Sequence, residues 1–229
     1  MKCSYMVAVA LTAATGLATA ADFTAEYVSF AGTGGISVNG SPTMPGGLIT
    51  MQYVGGAPAQ AVGQFGGPTF TTFCIEIDQR IGSHDYTIVS LADAPNPPGG
   101  VSNPNAPASY GLAIAGRIHE VVAAAIDAGW IQSDLALGTG TNEQLAAVQA
   151  LIWDAIYGPG VVTANAAVTA QMNYLMANHW TAGSTVAGLR AIVSATGQDM
   201  LFIVPLPPAA FAGLATLVGV AGVARLRRR

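Results

Sequence analysis

At Tyr110 the spacing of apolar residues changes, and that change restricts the chain to folds that set a sheet beside helices. Before it, apolar side chains alternate. Phe23, Ala25 and Tyr27 alternate with Thr24, Glu26 and Val28 within 22–30, as a strand with one covered face requires. Leu48 to Val54 and Tyr86 to Leu91 read as further strands. Thr71 to Asp78 is another, with Phe73, Ile75 and Ile77 on one face and Thr72, Cys74, Glu76 and Asp78 on the other. Gly82-Ser83 joins it to 86–91 in an expected hairpin, and residues 31–47, 55–68 and 92–109, rich in Gly, Ser and Pro, read as loops.

After Tyr110 the period lengthens. Leu112, Ala115, Ile118, Val122, Ala125 and Ile126 recur at steps of three and four, predicting an amphipathic helix over 110–128 that stops at Gly129. Thr141 with Gln144 is a capping-box pattern for a second helix, Asn142 to Tyr157, closed by Gly158-Pro159. Residues 164–178 and 185–193 read as two more helices, and Met200 to Val204 as a short last strand. The expected fold class is α+β, a β-rich sandwich or barrel-like part with a helical insertion that carries Gln149.

The two ends differ from this domain. Residues 1–20 hold Lys2, an apolar run from Val7 to Ala18 and then Ala18-Thr19-Ala20, the layout of a secretory signal peptide cut after Ala20. Cys3 leaves with it, so Cys74 is the one cysteine the domain 21–203 keeps. An unpaired cysteine in an exported chain is a reactive thiol, an intermolecular disulfide or an inert buried side chain. Residues 204–229 run from Val204-Pro205-Leu206-Pro207 through an apolar stretch over 209–224 to Arg225, Arg227, Arg228 and Arg229. An uncharged run ending in a basic cluster suits transient insertion in the inner membrane, with the arginines cytoplasmic.

Between the ends, Arg80, Arg117 and Arg190 face twelve Asp and Glu, a balance that repels phosphate backbones and argues against nucleic acid. Lys2 is the only lysine. Its isolation fits both a genome that favours arginine and a domain that avoids amines of its own. Three histidines and one cysteine without metal-ligand spacing predict no zinc site, and no cofactor is implied. Gln149 shares its helix face with Leu145, Ile152 and Ile156, so a carboxamide is expected on a buried stripe. Either backbone groups satisfy it, or it faces Cys74.

Two resemblances bear on function. The tail of motif, apolar run and arginines resembles the PEP-CTERM class of bacterial sorting signals in its V-P-L-P-A variant, with Pro208 where that alanine stands and Ala209 next. It implies a Gram-negative bacterium, an exosortase as processing partner, cleavage near the motif, and delivery to the cell surface or an extracellular matrix. Phe73-Cys74-Ile75-Glu76 together with Val148-Gln149-Ala150-Leu151-Ile152-Trp153 resembles the thioester domains of bacterial surface adhesins, whose motifs are aromatic-C-I and T-Q-x-A-I-W. Cys74, Gln149, Ile152 and Trp153 match, while Val148 replaces the threonine and Leu151 the alanine.

The resemblance implies an internal Cys74–Gln149 thioester, supported by Phe73, Ile75, Glu76, Ile152 and Trp153, that bonds covalently to an amine on a target. It acts as a single-use grip, not an enzyme. The alternatives are a non-reactive surface or biofilm-matrix structural protein of the same fold, and a hydrolase pairing Cys74 with His84, His119 or His179.

Overall fold

The structure is a computed structural model and describes residues 22–56, 68–96 and 108–204. The stretch 1–20, expected to be a signal peptide, and the expected sorting segment from Pro205 onward, with Leu206, Pro207, Arg225, Arg227, Arg228 and Arg229, lie outside the described residues. Of that segment only Val204 is described, and its N–H donates to Gly188 O at 2.9 Å.

The fold is α+β. Among the described residues seven strands form one antiparallel, nearly barrel-like sheet: β1 Asp22–Val38, β2 Met44–Gly56, β3 Thr69–Thr72, β4 His84–Val89, β5 Val162–Ala164, β6 Leu189–Val193 and β7 Met200–Ile203. Their order is β3-β2-β1-β4-β6-β7, with β5 pairing the far end of β1. Three helices, α1 Gly111–Asp127, α2 Asn142–Tyr157 and α3 Ala166–Asn178, are inserted between β4 and β6. Among the described residues no helix is long and apolar enough to cross a membrane.

Phe23 organises the interior of the sheet. Its ring lies 5.9 Å from Tyr53, 6.2 Å from Phe70, 5.9 Å from Tyr86 and 5.8 Å from Phe202, so β1, β2, β3, β4 and β7 converge on one aromatic cluster. Offset and edge contacts of this kind add to the burial of apolar area. Phe70 and Phe202 meet edge to face at 5.2 Å, drawing the two ends of the strand order together. Backbone bonds finish the closure: Leu201 N donates to Phe73 O and Ile75 N to Asp199 O, each at 2.9 Å, around an isolated bridge between Cys74 and Met200. Cys74 therefore lies on the seam where the sheet closes.

Several expectations are corrected. The stretch 31–47 is no loop, since β1 and β2 form a long hairpin that turns at Asn39 and Gly40, both with positive φ. An Asn-Gly pair supplies such a turn readily. A Cβ on Gly32 would sit 2.3 Å from Gly46 O, so those glycines permit close strand contact. The hairpin between the cysteine segment and 86–91 does not form, because β3 pairs β2 while β4 pairs β1 and β6. Residues 185–193 are not a helix. Gly188 at φ 76 breaks the backbone there, and Leu189, Ala191 and Ile192 are buried in β6 between β4 and β7.

The strand expected over 71–78 ends at Thr72. Beyond it Phe73, Cys74, Ile75 and Glu76 are all buried, at 0, 5, 0 and 2% exposure, so no face is left to solvent. The alternating pattern reads as one polar face and one apolar face, but the seam and α2 together cover both.

Candidate functional site

The helix α2 begins as its sequence predicts. Thr141 Oγ1 accepts from Gln144 N, and Gln144 Oε1 accepts from Thr141 N at 2.8 Å, completing the capping box. Every side chain from Leu145 to Trp153 is buried, because the helix packs against β1 and β2 on one side and against α1 and α3 on others. A helix covered all round fixes its residues tightly. Gly46 of β2 contributes by absence: a Cβ there would stand 3.1 Å from Gln149 Cγ.

Gln149 is 1% exposed and spans the gap to the seam. Its Oε1 accepts from Cys74 N at 2.9 Å, and its Nε2 donates to Cys74 O at 2.7 Å. Backbone groups satisfy the glutamine, and they are those of Cys74. The carboxamide thus pairs with the two backbone groups that flank the Cα bearing the thiol. The thiol is free of any disulfide. Burial, and then the charge of Glu76, push it well above the ordinary thiol range, so it rests protonated.

Glu76 is buried, and its Oε1 has no hydrogen-bond partner. Burial, with Asp199 and Asp78 nearby, raises it to about 7, and burial raises Asp199 to about 6. Gln198 Nε2 donates to Glu76 O at 2.6 Å, Tyr110 OH donates to Ile75 O, and Asp199 Oδ1 accepts from Ser194 N at 2.7 Å. These groups form a polar layer beside the cysteine.

In front lies a cleft of about 530 Å³ lined by Cys74, Gln149 and Trp153. Trp153 follows Gln149 by one turn of α2, is 2% exposed, and its indole N–H has no partner. Ile152 and Phe73, each fully buried, pack into the core as support. The structure therefore brings Phe73, Cys74, Ile75, Glu76, Gln149, Ile152 and Trp153 into one region.

The histidines are occupied elsewhere. His84 pairs with Thr196, His119 accepts from Val186 N at 3.1 Å, and His179 meets Asp127 at 2.8 Å; none lines the cleft. Tyr110, Gln198 and Asp199 were not legible as site residues, since no periodicity marks them. Gln198-Asp199 before the last strand could have been found only by knowing that this strand pairs with the cysteine segment. No protein family, curated protein or solved structure matches the chain.

Proposed function

We propose that residues 21–203 form an internal thioester between Cys74 and Gln149, and that an amine on a surface or matrix target opens it to leave a covalent link. The observation that carries this reading is the pair of hydrogen bonds holding the Gln149 carboxamide on the Cys74 peptide. Orientation of this kind can remove roughly 7–11 kcal/mol from a barrier.

The chemistry balances. The Cys74 sulfur bonds to Gln149 Cδ, the C–N bond breaks, and ammonia leaves with the thiol proton. Glu76, buried beside the cysteine with a free oxygen, takes that proton and passes it to the leaving nitrogen. The Cys74 N–H already sits on Oε1, where the negative charge develops, and the Trp153 indole N–H, one turn along α2 and without a partner, is free to serve as a second donor. Later an amine nitrogen bonds to the same carbon, the C–S bond breaks, and the thiol is regenerated. Nothing turns over, so the protein acts as an adhesin-like grip rather than an enzyme.

Export and display complete the reading, supported by the sequence of the two ends. An exosortase-type enzyme would cut near Val204-Pro205-Leu206-Pro207 after transient membrane insertion, leaving the domain at the cell surface or in the extracellular matrix. Peptide mapping of surface-released protein should find Ala21 at its start and no Arg229. Incubation with methylamine tests the chemistry: one label should map to Gln149 as the Cys74 thiol appears.

A second reading is favoured by the same bonds. A carboxamide with both ends satisfied is also a brace that closes the sheet seam, which suits a non-reactive surface or matrix structural protein. Methylamine uptake at Gln149 separates the two, since a brace takes up none.

A further inference from the structure

The cleft in front of Cys74 has an electrostatic sign opposite to that of its domain. Twelve Asp and Glu share the chain between the ends with Arg80, Arg117 and Arg190. Among the described residues no carboxylate lines the cleft, and its one charged lining residue is Arg80. Asp78 and Glu76 lie on the same segment but line none of it.

Arg117 and Arg190 are engaged where they stand. Arg117 lies 3.6 Å from Glu120 and 4.6 Å from the Trp180 ring centre, and Arg190 donates to Leu189 O at 3.0 Å. The Arg80 side chain has no such partner among the described residues and is exposed.

The remaining walls fit a bound group rather than bulk solvent. Tyr27 and Phe30 stand partly exposed at the rim, and Ile49, Ile77 and Ile81 line the walls. Gln79 lines the cleft too, and its Oε1 is buried with no hydrogen-bond partner. An acceptor left unpaired in such a place lacks a donor, and the N–H of an incoming amine is one.

Resting on the thioester reading, we propose that this cleft selects nucleophiles carrying a negative charge beside the attacking amine, with Arg80 as the residue that reads that charge. A guanidinium matches a carboxylate with two parallel hydrogen bonds and repels a second ammonium. Gln79 Oε1 receives the amine N–H while the carboxylate is held at the mouth. Substrates of this class are acidic amino compounds, in which amine and carboxylate lie a few bonds apart. A plain lysine side chain or a polyamine is disfavoured.

The test uses three amines of nearly equal size on the purified protein: β-alanine, propylamine and ethylenediamine. Each rate of thiol release is expressed per unprotonated amine and divided by that amine's rate with a small soluble thioester, which removes intrinsic nucleophilicity. β-Alanine should react about two- to fivefold faster than propylamine, the span of an exposed ion pair, and ethylenediamine should be slowest. Raising the salt should compress the order. Arg80→Gln should abolish the preference, and Arg80→Glu should invert it. A wild-type thioester that opens with no charge preference overturns this inference alone, as does a preference that survives both substitutions. A wild-type protein that forms no thioester overturns the inference and the thioester reading together.

Discussion

Gln149 reaches across 75 positions of sequence to hold the Cys74 peptide at both edges, taking its N–H at 2.9 Å and giving to its carbonyl at 2.7 Å. The bond pair ties the central helix to the seam of the sheet. The closure of the sheet and the proposed thioester therefore depend on the same contact.

The structural share can be isolated in a Cys74→Ala background, where no thioester forms. Cys74→Ala alone removes a small apolar group and should leave the fold intact. Adding Gln149→Ala orphans a buried N–H and a buried C=O, and should cost a further 2–5 kcal/mol or about that in denaturant unfolding. A further loss below about 1 kcal/mol would mean that the two bonds are not made.

Trp153→Phe keeps an aromatic ring and removes the indole N–H. If that donor serves the developing oxyanion, methylamine should release the Cys74 thiol about 10²- to 10³-fold more slowly. A tryptophan that only packs would lower the melting temperature and leave this rate unchanged.

Acid should stabilise the fold. Glu76 titrates at about 7 and Asp199 at about 6, both above their ordinary 4.5 and 3.8. The folded protein thus keeps protons that the unfolded chain has released. Stability should fall as pH rises from about 4 to about 7 and then level off. Glu76→Gln should raise the melting temperature at pH 7.5 and flatten the part of the slope nearest neutrality. Stability that climbs over that window would show the carboxylates to be ion-paired instead.

Much of this was legible before any coordinates. The capping box at Thr141 and Gln144 fixed the start of α2, and its helical spacing put Gln149 on a buried stripe. The cysteine segment has the pattern of a longer strand, because alternation at Phe73 to Asp78 cannot reveal that α2 and β7 cover both sides. Residues 185–193 carried a pattern compatible with a helix, and long-range pairing to β4 and β7 decided otherwise. The Asn39-Gly40 pair is a turn signal, but the glycines around it give the whole stretch 31–47 the composition of a loop. Arg80 and Gln79 gave no signal at all, since only the folded cleft sets them before Cys74.

The most direct measurement is the intact mass of the purified native protein, read with a titration of its thiol. A Cys74–Gln149 thioester predicts a mass lower than calculated by one ammonia and no titratable thiol until methylamine is added. Cys74→Ala should restore the calculated mass for that variant. Full calculated mass in the wild type, together with one titratable thiol and no amine uptake, would contradict the account.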